Sequence, residues 1–115
     1  MNRELTETER DVIVKVAERL PEGARLQLLD DLRLASVSPE ASSDSRIVFA
    51  LADYERPPYV GQRSLGVEGQ LLDSDGARIT VDVYADQSGR LLEIELVRWG
   101  DGHVIAPDWN TLELY

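Results

Sequence analysis

The sequence predicts an α+β domain, with two N-terminal helices packed on one face of an antiparallel sheet of four strands, or five if the tail contributes one. Three observations carry this. Apolar residues recur at helical spacing up to about residue 33, and from residue 46 the apolar period falls to two. Compact turn compositions then punctuate the second half.

Thr6 followed by Glu9 is a capping-box pattern, in which each side chain satisfies the other's free backbone N–H at a helix start. Val12, Ile13, Val16, Ala17 and Leu20 follow on one stripe, so a helix is expected from about Thr6 to Leu20, ended by Pro21. Pro21, Glu22 and Gly23 make a corner into a second helix, about Glu22 to Arg33, with Leu26, Leu29 and Leu32 inward and Leu28 beside them. Ser36 to Ser45, SVSPEASSDS, has no periodicity and reads as a loop.

Four alternating runs follow. They are Ile47-Phe49-Leu51, Val67-Gly69-Leu71, Ile79-Val81-Val83-Ala85 and Leu92-Ile94-Leu96. Taken in sequence they predict an antiparallel meander over about residues 46–99, with turns at DSDG (73–76) and DQSG (86–89) and a turn and tail over 100–115. The stretch between helices and strands is too short to separate two domains, so residues 1–115 are read as one. If DQSG is a four-residue loop, Ala85 lies opposite Arg90, Asp82 opposite Glu93 and Thr80 opposite Glu95. A two-residue loop would instead set Glu95 opposite Arg78. In either register the face away from the helices is acidic.

Of the 115 residues, 43% are apolar and 30% charged, which is ordinary for a folded domain. The absence of cysteine excludes disulfides, thiol nucleophiles and thiolate metal sites. The opening MNRELTETERD lacks the apolar stretch of a secretory leader, and the longest apolar run, Ile47 to Ala52, is far too short to span a bilayer. A soluble, cytoplasmic protein is expected. The net charge of −10 divides as −2 over residues 1–35, −2 over 36–72 and −6 over 73–115. Such a charge repels nucleic acid and anionic membranes and steers a basic protein partner toward the chain.

The stretch VRWGDGHVIAPDW, residues 97–109, holds both tryptophans and the one histidine. His103 near Asp101 or Asp108 could do acid–base work, but no nucleophile motif accompanies it, and one histidine without cysteine makes a poor zinc site. The plainer reading is a tight turn at Gly100-Asp101-Gly102, with Trp99 and Trp109 anchoring the returning tail. DSDG opens like a calcium loop. However, the required glycine would fall on Arg78 and the bidentate glutamate on Tyr84, so it is read as a turn. Gly61, Gly66 and Gly69 lack phosphate-loop spacing. Tyr54, Pro57, Pro58 and Tyr59 form an aromatic and proline cluster, read mainly as an ordered connection and secondarily as a segment a partner could grip. No metal or cofactor is expected. The candidate site is a partner-binding face of Asp82, Glu93 and Glu95 with Tyr84, Asp86, Asp101 and Trp99.

RELTETER at residues 3–10 and IELVRWGDGHVIAPDWNTLEL at 94–114 resemble the two ends of a family of short uncharacterised bacterial proteins. In that family an N-terminal helical stretch precedes a small antiparallel sheet, and the ending reads much like RWGD followed by PDW. In physical type, though not in motif, the chain is also similar to immunity proteins of bacterial toxin systems. Taken together, charge and resemblance lead to the expectation of a non-catalytic acidic binding protein, an immunity protein that occludes a basic toxin domain such as a nuclease. The competing expectations are a small enzyme using His103 with a neighbouring aspartate, and a regulatory or structural subunit.

Overall fold

A computed structural model describes all 115 residues. It is α+β, with helices α1 (Glu7–Ala17) and α2 (Glu22–Leu34) followed by strands β1 (Ala35–Val37), β2 (Arg46–Leu51), β3 (Arg63–Leu72), β4 (Arg78–Ala85), β5 (Leu91–Arg98) and β6 (Asp108–Leu114). All pairings are antiparallel, in a single sheet ordered β1-β2-β5-β4-β3-β6. No helix is long and apolar enough to cross a membrane.

The start of α1 follows the sequence closely. Thr6 Oγ1 accepts from the Glu9 N–H at 3.1 Å, and Glu9 Oε1 accepts from the Thr6 N–H at 2.8 Å. Arg3 adds two further bonds to the Glu9 carboxylate, so the N-terminal arm is fixed to the helix it precedes. The helix closes at Ala17 rather than Leu20. Arg19 and Leu20 bond three residues back in a tightened last turn, as Pro21 disfavours helical geometry in the residue before it. Leu20 still joins the core. On α2 the expected stripe is rotated, since Leu28, Asp31 and Leu32 are buried whereas Leu26 is 56% exposed.

The sheet has six strands, not four or five. β1, Ala35–Val37, starts just past the expected helix end at Arg33 and takes the first residues of the stretch read as a loop, and the tail supplies β6. The order also differs from a simple meander. β3, β4 and β5 do follow one another as hairpins, but β2 pairs with β5, Ile47 opposite Ile94, which is Greek-key order. The 52–62 connection carries the chain across the end of the sheet. It is held there by Arg56, which donates to the carbonyl oxygens of Phe49 on β2 and Leu91 on β5.

One apolar core joins Val12, Ile13, Val16, Leu28 and Leu32 of the helices to Phe49, Val67, Leu71, Ile79, Val81, Val83, Leu91, Ile94 and Leu96 of the strands. Leu112 and Leu114 of β6 close against it over Gly69, where an added Cβ would meet both at 3.0 Å. The helices therefore cover one face of the sheet and leave the other open.

The β4–β5 register corrects the sequence-based expectation. The turn closes with Asp86 N–H to Arg90 O and Gly89 N–H to Asp86 O, Gly89 having φ 81°. This is a three-residue loop ending in a left-handed glycine, and it advances the register by one residue. A one-residue slip alone would turn Glu93 into the core. A bulge follows at once, with Ala85 opposite Leu91 and Tyr84 opposite Glu93, so Leu92 is left over and a second residue is gained. Alternation is restored, but the partners have changed. Asp82 faces Glu95 rather than Glu93, Thr80 faces Val97, and Leu91, not Leu92, enters the core.

Candidate functional site

The open face is built by alternation. Residues whose neighbours point into the core point away from it, which places Arg46 and Val48 of β2, Glu93, Glu95 and Val97 of β5, Arg78, Thr80, Asp82 and Tyr84 of β4, and Glu68 and Gln70 of β3 on one surface. Register then sets Glu68 opposite Asp82, Asp82 opposite Glu95 and Glu95 opposite Arg46. Three carboxylates thus stand in a row on three adjacent strands, whose backbones are spaced about 4.8 Å apart, with no cation between them.

Like charges opposed across strands are destabilising. The Asp82 carboxyl is accordingly raised above its ordinary range, first by burial and then by the charges of Glu68 and Glu95. Arg46 relieves only the far end, 3.4 Å from Glu95 and 2.9 Å from Glu93. The Glu93 side chain is 4% exposed, and its Oε2 lies near Arg46 Nε without the alignment of a hydrogen bond and accepts none elsewhere. Burial raises its carboxyl; Arg46 opposes that, and Glu95 adds to it. The Tyr84 hydroxyl, beside these groups, is raised by burial and then by Asp82, Glu95 and Glu93. At the other end Trp99 is half exposed, its indole N–H donating to Thr80 Oγ1 at 2.7 Å and Arg78 lying 6.0 Å from its ring centre.

Of the residues expected on a partner-binding face, Asp82, Tyr84, Glu93, Glu95 and Trp99 share this surface. Asp86 does not. Its carboxylate turns to the hydroxyl of Tyr54 at 2.7 Å, to Arg56 at 2.9 Å and to the N–H groups of Ser88 and Arg90, and it is 5% exposed. Burial alone would raise it, but these donors hold it below the usual carboxylate range. Asp101 is exposed on the Gly100–Gly102 turn, outside the strand rows, where only its backbone oxygen is engaged, by Arg98 Nε at 3.1 Å. Glu68 was missed because its place depends on the β3–β4 register, which the alternation of Val67, Gly69 and Leu71 alone does not supply. Arg46, the one cation at the end of the row, belongs to a strand that the sequence placed beside β3 rather than β5.

Arg98 of the RWGDG stretch ties two turns together. Arg98 donates to Asp73 at 2.8 Å and with both terminal nitrogens' reach to Asp75, the shorter bond being 2.6 Å. Asp73 also accepts from the backbone of Ser74, Ile105 and Ala106, which pins the returning chain. His103 makes no hydrogen bond to Asp101 or Asp108; it lines a shallow open depression shared with Ser43, Ser45, Arg46 and Glu95. No group of three or more acidic or histidine side chains is placed to hold a metal ion. Tyr54, read as part of a proline-rich connection, is tied to Asp86, and Arg90 stacks 4.5 Å over its ring.

A family model described as a domain of unknown function (DUF6984) matches residues 2–106, which leaves β6 outside the matched span. No curated protein and no solved structure matches the chain.

Proposed function

The chain belongs to the DUF6984 family, a domain of unknown function, and on that premise we propose that it is a binding protein whose open sheet face captures a basic protein surface. The observation that carries this is the row Glu68–Asp82–Glu95, three like charges opposed across adjacent strands on an uncovered face. In the isolated chain the row costs stability. A partner presenting cations to it removes that cost, so complementarity is gained where the free protein is strained. Tyr84 and Trp99 flank the row and supply apolar contact area beside it.

Our fuller reading is an immunity protein that occludes the phosphate-binding cleft of a nuclease toxin. Such a cleft is basic, and a face of this charge competes with nucleic acid for it. Immobilised protein and a variant with Glu68→Lys, Asp82→Lys and Glu95→Lys, each shown folded by circular dichroism, are exposed to lysate of the source organism. A basic protein held at about 0.05 M salt, released by about 0.5 M and ignored by the variant is expected. Retention indifferent to the reversal would remove this face from the function. A captured protein whose nucleic-acid cleavage the chain fails to inhibit would remove the immunity reading and leave the binding one.

A further inference from the structure

We propose that the basic partner is recognised in two parts, with an apolar side chain entering a socket at residues 56–61 at the end of the sheet and cationic side chains meeting the acidic row beyond it. This rests on the binding reading above and adds to it the partner's chemistry.

The socket has a volume of about 140 Å³ and is walled by Pro57, Pro58, Tyr59, Val60 and Leu92. A cavity of that size suits one leucine, methionine or phenyl side chain, since roughly 150 Å³ accommodates benzene. Two of its walls are costly to leave in water, Tyr59 being 72% and Val60 75% exposed. Leu92 is there because of the β5 bulge, which excludes it from the ladder and from the core while Leu91 goes inward.

The base of the socket is rigid. Arg56 is bonded to Asp86 and to the backbone of both β2 and β5, and Tyr54 to Asp86. A pre-formed socket requires little ordering on binding, which is the usual condition for a hot spot.

The partner's chemistry follows from what adjoins the socket. Leu92 and Glu95 are three residues apart on β5, about 10 Å, and Asp82 and Glu68 extend the charge sideways by one and two strand spacings. An apolar ligand alone would leave the carboxylates unanswered, and a purely basic one would leave Tyr59 and Val60 in water. The fitting partner is a protein segment carrying an apolar anchor with arginine or lysine about 10 Å away. On a helix this corresponds to a separation of about two turns.

The probe is an alanine-based helical peptide with one leucine and two arginines about two and about three turns beyond it on the same face, titrated into isotopically labelled protein and followed by amide NMR shifts. The amides of Tyr59, Val60 and Leu92 are expected to move together with those of Asp82 and Glu95. Replacing the peptide's leucine by alanine should weaken binding about tenfold. The chain variant Val60→Ser, at an exposed position that leaves the fold intact, should do the same. Equal affinity of the leucine-free peptide, with shifts at Asp82 and Glu95 retained, would overturn the socket and leave the acidic-face reading standing. Shifts at Tyr59 and Val60 that persist when the arginines become glutamine, with none at Asp82, would overturn the acidic-face reading, and with it the two-part recognition, leaving the socket alone. No shift at any of these amides overturns both.

Discussion

Two sets of acids in this chain do opposite work. Asp31, Asp73 and Asp86 face inward and are saturated: Asp31, fully buried, accepts from Gln27, Arg90 Nε and the Leu91 N–H at 2.8–3.0 Å. Each of the three is matched by its own arginine, Arg90, Arg98 and Arg56. Glu68, Asp82 and Glu95 face outward in a row, and only Glu95 has a cation beside it. The first set secures connections between distant parts of the chain; the second repels itself. Net charge counts the two alike, but a partner meets mainly the outward set, because the inward acids already face Arg90, Arg98 and Arg56.

The contrast can be broken most forcefully at Asp31. Asp31→Ala should cost about 3–5 kcal/mol in chemical denaturation, because Arg90 and the Leu91 N–H lose their buried acceptor. A loss below about 1 kcal/mol would show that water replaces the carboxylate and that the inward set is not structural in the sense argued here. Asp73 tests the same idea locally. Burial would raise its carboxyl, but the N–H groups of Ile105, Ala106 and Ser74, with Arg98, hold it at about 2. A depressed acid stabilises the fold above its ordinary value of 3.8 and loses that contribution as pH falls through about 2. Asp73→Asn should therefore abolish amide-exchange protection at Ile105 and Ala106 at neutral pH, and retained protection would reassign the latch to other contacts.

The outward set should respond with the opposite sign and the smallest size. Asp82→Asn removes one like charge and should raise stability at neutral pH by about 0.5 kcal/mol. The sign in pH is reversed too: a raised acid penalises the fold above its folded-state value, and the penalty disappears below the ordinary 3.8. The gain over the wild-type chain should accordingly vanish in melts below that pH. A destabilised Asp82→Asn would mean that the row is satisfied after all.

The existence of both helices, the core face of β3 and β4 and the acidity of the opposite face are legible in the sequence, because each depends on a local period or a local cap. Thr6 with Glu9, and Ile79 through Ala85, are examples. The α2 stripe and the start of β5, where Leu91 replaces Leu92, are not legible. What escapes local reading is pairing. Nothing near Ile47 says that it will meet Ile94 rather than a strand closer in sequence; the pairing is secured by the shared core and by Arg56, which ties Phe49, 7 residues before it, to Leu91, 35 residues after it. Asp86 was misplaced for the same reason: a turn aspartate looks exposed until Tyr54 and Arg56 arrive to bury it.

The bulge in β5 gives that strand one residue more than its ladder uses. Between Leu91 and Glu93, chain length and pairing are therefore uncoupled. Shortening the strand there by Leu92 would leave every remaining side chain on its present face, whereas the same deletion within the regular ladder would turn the residues on one side of it inside out. The spare residue of the strand is thus also one of the walls of the socket.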